Sequence, residues 1–188
     1  MVPQNHSAMS TGDILVAPPT LRDPNFRRSV ILLCEHSESG SFGLILNRFV
    51  SVDMVDFVED LAAYREPIHI GGPVQTDTLH FLHRIPDLIP NSRPVMKNVL
   101  WGGDADSMLE VVRESGLDRN VLRFFLGYAG WTDGQLLSEI ESDGWIVVRG
   151  TPDLVFFDDP AILWRTIMRR LGGEYALLST YPDDPRTN

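Results

Sequence analysis

Two apolar runs separated by a short polar stretch, in SVILLCEHSESGSFGLILNRF, constrain the fold more than any other feature of the chain. The polar stretch from Ser37 to Ser41 contains Gly40, and such a break between β-branched and aliphatic runs predicts a β-hairpin. With the turn centred there, one face of the first strand carries Val30, Leu32, Cys34 and His36. The opposite face, with Ile31 and Leu33, is also mostly apolar, so the hairpin is expected in the centre of a sheet.

Strand and helix signals follow one another along the chain without regular alternation. Strand-like runs are DILVA, IHIGGPV, LHFLHRI, NVLWGG, VLRFFLGYA and WIVV, and the proline-rich IPDLIPNSRP is predicted to be an exposed loop. Capping residues and apolar spacing predict helices from about Val52 to Tyr64, after Asp104, after Thr132 and after Asp159. A doubly wound fold would alternate strand and helix, so the sequence predicts an α+β fold with a mixed sheet.

The length of 188 residues suits one domain, which we expect over residues 13–178 with flexible tails at 1–12 and 179–188. The chain has 16 Lys plus Arg against 26 Asp plus Glu, a net charge of -10, which disfavours direct nucleic-acid binding. A single cysteine, Cys34, fits a reducing compartment. The N-terminal residues lack the pattern of a signal peptide, and no apolar run is long enough to span a membrane, so we expect a cytoplasmic protein without a membrane partner.

The segment LGYAGWTDGQLLSEI predicts a tight junction between a strand and a helix. Thr132 and Gln135 have the spacing of a capping box, in which each side chain satisfies a backbone N–H at the start of the helix. Gly127 and Gly130 permit positive φ or the close approach of another segment, and Trp131 is placed to pack back on the helix. We interpret the segment as a buried architectural corner.

Several separated motifs carry a family resemblance. DPNFRRSVILLCEHSESGSFGLILNR, GGPV followed by LHFLHR, and the junction segment with Trp145 resemble the AlgH/YqgE family of uncharacterised bacterial proteins, from Asp13 to about Leu171. The resemblance implies an α+β fold whose mixed, bifurcated sheet is curled into a pseudo-barrel with packed helices. Members of that family carry the label of transcriptional regulator, and the resemblance implies no catalytic residues. The acidic composition and the lack of a helix-turn-helix signal argue against direct DNA contact.

Metal, cofactor and nucleophile signals are weak. His80 and His83 are three residues apart on a predicted strand and so point to opposite faces, which disfavours a metal site. The chain has no Walker loop, dinucleotide fingerprint or Gly-x-Ser-x-Gly elbow, so no cofactor is predicted. Side chains two apart on a strand are about 7 Å apart, too far for Cys34 to bond His36. Cys34 is therefore interpreted as a small buried apolar residue.

Two groups of polar residues remain as functional candidates. His36, Asn47, Arg48 and His80 form a candidate pocket, and Arg165, Arg169 and Arg170 form a candidate partner surface at the end of the last helix. Because no catalytic signature is present, we favour a non-catalytic regulatory or interaction module that acts through protein or small-ligand contacts. An enzyme, for example a hydrolase, with a site assembled from the candidate pocket is the alternative. Direct DNA binding by a regulator is a third hypothesis.

Overall fold

The structure is a computed structural model of the chain and describes residues 9–50, 61, 64, 66–115 and 118–181. Its strands are β1 (Ile14–Val16), β2 (Val30–Ser37), β3 (Gly40–Ile45), β4 (Phe49–Val50), β5 (Ile68–Ile70), β6 (Val74–His83), β7 (Arg93–Met96), β8 (Val99–Trp101), β9 (Leu122–Trp131) and β10 (Ile146–Val148). Its helices are α1 (Ala105–Ser115), α2 (Gln135–Glu141), α3 (Pro152–Val155), α4 (Pro160–Leu171) and α5 (Gly173–Leu178). The helix predicted from about Val52 to Tyr64 lies outside the described residues, apart from Leu61 and Tyr64.

Strand β9 runs through the middle of a mixed sheet with the order β10-β1-β2-β3-β9-β6-β8-β7. One edge of β9 pairs with β6 in antiparallel fashion. The other edge pairs with β3 around Ala129 and Trp131, and in parallel with β5 at Phe125 and Leu126. Two strands thus share one edge of β9, and the sheet splits there. The predicted α+β fold with a bifurcated, strongly curled sheet is confirmed.

The chain crosses β9 between β5 and β6, because these strands pair with opposite edges of β9. The crossing segment contains Gly71 and Gly72, and a third glycine, Gly127, lies beneath it in β9. A Cβ on Gly71 would lie 2.2 Å from the carbonyl oxygen of Gly127, and one on Gly72 would lie 2.1 Å from the carbonyl carbon of Tyr128. Gly127 has φ 65°, and its own Cβ would lie 2.6 Å from the carbonyl oxygen of Gly72. Backbone passes directly over backbone here, which leaves no space for any side chain.

Both faces of β2 are buried, as the sequence predicts. Val30, Leu32 and Cys34 pack in one cluster that includes Trp164 of α4. Ile31 and Leu33 pack in another cluster, whose helical members come from α2, with the indoles of Trp131 and Trp145. The hairpin is therefore covered by helices on both sides, and its turn is only Glu38 and Ser39.

A β-bulge in β2 overturns the predicted face of His36. Leu33 pairs with Gly43, but Glu35 pairs with Phe42 and His36 with Ser41, so β2 has one extra residue at Cys34. The alternation of side chains reverses from that point. Cys34 remains in the cluster with Leu32, whereas His36 lies on the other face of the sheet, beside α2. The prediction that Cys34 and His36 share a face is wrong.

Four further segments differ from the sequence prediction. Residues Arg93–Met96 form β7 and pair with β8, although Arg93 and Pro94 belong to the stretch predicted as an exposed loop, and Ile89 of that loop is buried. Strand β9 continues through Trp131, so the junction begins only at Thr132. The short helices α3 and α5 were not predicted, because runs of four and six residues give too little apolar periodicity.

Helices α1 and α4 begin at the predicted caps. Asp104 Oδ2 accepts a 2.9 Å hydrogen bond from Ser107 N, and Asp159 Oδ1 accepts one of 3.2 Å from Ala161 N. The residues that α1 buries include Met108, Val111 and Val112, and those that α4 buries include Leu163, Trp164 and Ile167. Ala105 and Ala161, at the starts of the two helices, are exposed.

Some residues assigned to the tails contact the sheet. Gly12 N donates to Leu33 O at 2.8 Å, and Met9 packs against the cluster under α2. Near the other end, Ser179 is fully buried and Tyr181 O accepts a hydrogen bond from Arg28. Residues 1–8 and 182–188 lie outside the described part of the chain.

Candidate functional site

The four residues of the candidate pocket do not converge. His36 lines a cavity of about 370 Å³ beside α2, and His80 lines one of about 270 Å³ beside β8. Asn47 and Arg48 line a third cavity, of about 440 Å³, at the start of α4. The single pocket expected from the sequence is therefore not formed, and each cavity has its own chemistry.

His36 forms a hydrogen bond across the hairpin. Its Nδ1 lies 2.7 Å from Ser41 Oγ, its direct cross-strand partner, and Thr132, Asp133 and Leu136 line the same cavity. A hydroxyl beside an imidazole is the arrangement of a nucleophile with its base. It is equally an ordinary cross-strand pair that stabilises a hairpin.

His80 belongs to an aromatic cluster. The ring of Phe42 is stacked between Trp101, 4.5 Å away, and Tyr128, 4.7 Å away, and His80 meets Phe42 edge-on at 5.1 Å. Burial lowers the pKa of His80 from its usual value, which favours the neutral imidazole. His83, on the other face of β6, is fully buried and bonds Ser92 Oγ at 2.8 Å. These contacts fit packing rather than metal ligation.

Asn47 and Arg48 hold the loop that precedes β2. Asn47 Oδ1 accepts from Val30 N at 2.8 Å, and its Nδ2 donates to Arg28 O at 2.9 Å. Arg48 donates to the carbonyl oxygens of Asn25 and Arg27, at 2.5 and 3.0 Å. Both side chains therefore fix the backbone that carries Arg27 and Arg28.

Four arginine residues line one cavity, here called the arginine cavity. It has a volume of about 440 Å³ and is lined by Pro24, Arg27, Arg28, Asn47, Arg48, Ala161, Trp164 and Arg165. Arg28 stacks on Trp164, with its guanidinium carbon 4.9 Å from the ring centroid. Arg165 of the candidate partner surface thus joins Asn47 and Arg48 of the candidate pocket, whereas Arg169 and Arg170 do not line this cavity.

The positive charge at the arginine cavity contrasts with the net charge of -10 of the whole chain. Partial burial and repulsion from Arg27 lower the pKa of Arg48 below its usual value, while the nearby Asp23 opposes this effect. An anion beside Arg27 and Arg48 would offset the repulsion between these two side chains. Arg27 and Arg28 are not among the candidate residues identified from the sequence. Their adjacency in the RRSV motif was the one sign in the sequence of positive charge at this position.

The strand-to-helix junction forms only half of the predicted capping box. Gln135 Oε1 accepts from Thr132 N at 3.0 Å, but Gln135 N donates to the carbonyl oxygen of Thr132 rather than to its hydroxyl. Trp131 is buried in the cluster with Leu136 of α2. Gly130 lacks positive φ; a Cβ there would lie 3.0 Å from the ring of Tyr128.

Within the described residues, no three His, Cys, Asp or Glu side chains are grouped so that they could hold a metal ion. No helix in that part of the chain is long and apolar enough to cross a membrane.

The AlgH-like family model matches residues 14–176. The chain belongs to the AlgH-like family. It is 37% identical over 188 residues to a UPF0301 protein of Chlorobium chlorochromatii, with all of both chains covered. It is also 37% identical over 181 residues to a UPF0301 protein of Cytophaga hutchinsonii, covering 96% of this chain and 100% of that protein.

Two solved structures share the fold. A crystal structure of a protein from Corynebacterium diphtheriae superposes with a TM-score of 0.79 at 26% identity, covering 96% of this chain and 95% of the other. The solution structure of the AlgH protein from Pseudomonas aeruginosa gives a TM-score of 0.73 at 28% identity, covering 93% and 95%. These comparisons fix the family and fold without supplying a reaction.

Proposed function

We propose that this protein is a non-catalytic cytoplasmic interaction module that binds an acidic segment of a protein partner at the arginine cavity. One observation carries the proposal: Arg27, Arg28, Arg48 and Arg165, from distant parts of the chain, line the same cavity. The proposal rests on this convergence of positive charge and not on unused hydrogen-bond donors, since Arg28 and Arg48 already donate to carbonyl oxygens.

Carboxylate is the ligand chemistry that suits the cavity. The planar fork of a guanidinium group matches the two oxygens of a carboxylate, and such charge-assisted pairs are stronger than neutral hydrogen bonds. Arg48 and Arg28 are anchored through the backbone of the same loop, so their positions are preorganised before a partner arrives. The cavity volume of about 440 Å³ accommodates one or two acidic side chains.

An acidic protein segment fits better than a nucleic acid. The net charge of -10 repels a long phosphate backbone from most of the surface, whereas a short acidic peptide meets only the local positive field. Arg165 is only half-buried, so a partner can reach it.

Fluorescence anisotropy with a labelled hexaglutamate peptide tests the proposal, with a hexaglutamine peptide as the uncharged control. We expect saturable binding that weakens with added salt. Arg165→Gln should weaken it about tenfold, since one lost charge-assisted hydrogen bond costs about 1.5 kcal/mol. Arg169→Gln is the matched control on the same helix and should bind as the wild type does. Equal effects of the two variants, or binding of the uncharged peptide, would contradict the proposal.

The 2.7 Å contact between His36 and Ser41 is the one observation that favours the alternative, a hydrolase. In that case Ser41 would react with a fluorophosphonate probe, and both Ser41→Ala and His36→Gln would abolish labelling. If the wild type is not labelled, the hydrolase hypothesis is wrong, and the bond between His36 and Ser41 serves only to stabilise the hairpin.

A further inference from the structure

The last described residue of the chain, Tyr181, lies beside the arginine cavity. Its carbonyl oxygen accepts a 2.8 Å hydrogen bond from Arg28 Nη2. Arg28 lines the cavity together with Trp164, and its guanidinium carbon lies 4.9 Å from the centroid of the Trp164 ring. One arginine therefore contacts both the cavity wall and the backbone of Tyr181, and the chain continues from there as residues 182–188.

The backbone that leads to Tyr181 is held in place on the fold. Helix α5 packs against α4, the helix that carries Trp164 and Arg165. Beyond α5, Ser179 is fully buried and its hydroxyl donates to Ala176 O at 2.7 Å. Tyr181 N then donates to Leu178 O at 3.3 Å. The starting point of residues 182–188 is thus fixed next to the cavity before any partner binds.

The sequence after Tyr181, PDDPRTN, places two carboxylates close to this point. Asp183 and Asp184 are the second and third residues after Tyr181. An extended chain spans at most about 3.6 Å per residue, so the Cα atom of Asp183 is within about 7 Å of that of Tyr181 and the Cα atom of Asp184 within about 11 Å. Pro182 restricts the only residue in between, which lowers the conformational entropy lost on docking. The charges of this segment and of the cavity are complementary.

We propose that residues 182–188 are an internal competitor for the arginine cavity: the carboxylates of Asp183 and Asp184 bind there, and an acidic partner has to displace them. The inference rests on the function proposed above for the cavity. Because the segment is covalently attached, its effective concentration at the cavity is on the order of millimolar. It also carries Arg186, so it is attracted less strongly than a fully acidic peptide. The segment thereby selects for partners with several consecutive acidic residues.

Nuclear magnetic resonance of the arginine side-chain Nε–H groups tests the docking without any peptide. The full-length wild type is compared with the double variant Asp183→Asn/Asp184→Asn. We expect the signals of Arg48 and Arg165, in other parts of the cavity wall than Arg28, to shift on neutralisation of the segment. The signal of Arg169, which does not line the cavity, should stay in place.

Two controls separate docking from other causes of a shift. Glu141→Gln/Glu174→Gln makes the same change in net charge at exposed residues that do not line the cavity. It should leave the signals of Arg48 and Arg165 unchanged. The wild-type spectrum should also stay the same on dilution, because the competitor belongs to the same chain. A shift on dilution would instead indicate the segment of a second copy and would overturn the inference.

Fluorescence anisotropy with hexaglutamate measures the competition. Asp183→Asn/Asp184→Asn should bind the peptide about fivefold more tightly than the wild type, as expected when the segment leaves the wild-type cavity open about a fifth of the time. Asp183→Glu/Asp184→Glu keeps both charges and should bind as the wild type does. Glu141→Gln/Glu174→Gln should also match the wild type, and a fivefold gain in that control would overturn the inference.

The two proposals fail in different ways. If hexaglutamate binds neither the wild type nor Asp183→Asn/Asp184→Asn, or if Arg165→Gln leaves its affinity for the latter unchanged, the proposed function is wrong and the inference falls with it. If binding depends on Arg165 but neutralisation of the segment alters neither the affinity nor the signals of Arg48 and Arg165, only the internal competitor is overturned.

Discussion

The indole Nε1 of Trp145 donates a 2.8 Å hydrogen bond to Glu139 Oε2. The same oxygen accepts a 2.9 Å bond from Trp131 Nε1, and Glu139 Oε1 accepts one from Gln135 Nε2. One carboxylate on α2 therefore satisfies the buried indoles of β9 and of the segment after α2. Glu139 therefore ties the GYAGW segment to its helix, through contacts that the sequence analysis did not predict.

Replacing Glu139 with Gln should destabilise the protein by about 1–3 kcal/mol. A single amide oxygen is a weaker acceptor than a carboxylate, and the amide N–H groups cannot accept from the indoles. Urea unfolding followed by tryptophan fluorescence measures this loss. Glu141→Gln, an exposed change at the end of the same helix, is the control, and equal stability of the two variants would argue against the bridging role.

Gly72→Ala should be among the most damaging small substitutions in the chain. The added Cβ would meet the backbone of Tyr128 at 2.1 Å, and we expect a loss of more than about 3 kcal/mol, because the atoms that it meets are backbone rather than the end of a flexible side chain. At Gly134, where φ is 67° and no atom lies within 4 Å of a Cβ, alanine should cost only about 1–2 kcal/mol through backbone strain. Thermal unfolding of the two variants checks the order, and a milder effect at Gly72 would contradict the crossing.

Stability should fall in acid partly because of His69, a buried residue of β5. Burial lowers its pKa to about 3 in the folded state, from 6.5 in the absence of perturbation, so between these values the unfolded chain binds a proton that the folded protein does not. The stabilisation is complete above pH 6.5 and is lost progressively as the pH falls towards 3. The free energy of unfolding of His69→Phe should therefore change less between pH 7 and pH 5 than that of the wild type. Parallel profiles would show that His69 is not buried in its neutral form.

Cys34 should be chemically inert in the folded protein. Burial raises the pKa of its thiol, and the bulge places His36 on the other face of the sheet. Iodoacetamide should leave the native protein unmodified and alkylate it fully in urea, as measured by mass spectrometry. Alkylation of the native protein at the rate seen in urea would contradict this assignment.

The sequence predicts those parts of the fold that follow from local periodicity. The predicted positions are correct for the hairpin of β2 and β3 and for the strands of alternating apolar residues. They are also correct for the helix caps Asp104 and Asp159. The bulge at Cys34 gives no such signal, because inserting one residue leaves the apolar run unbroken. It nevertheless reverses the face of every residue that follows it in the strand, including His36.

The candidate sites were less predictable, because they depend on contacts between distant segments. The sequence shows only that Asn47 and Arg48 are polar residues near the end of a predicted strand. It does not show that their side chains form hydrogen bonds with backbone groups of the loop before β2 and of its first residue. Arg165 meets them only because α4 packs on β2. The contact between Arg28 and Tyr181 likewise joins two distant segments, which local patterns do not reveal.

The most direct test of the arginine cavity follows the arginine side-chain Nε–H resonances during a hexaglutamate titration. If the peptide binds at the arginine cavity, the signals of Arg28, Arg48 and Arg165 should shift together along one saturation curve, while that of Arg169 stays in place. Shifts confined to Arg169 and Arg170, or shifts that never saturate, would contradict it.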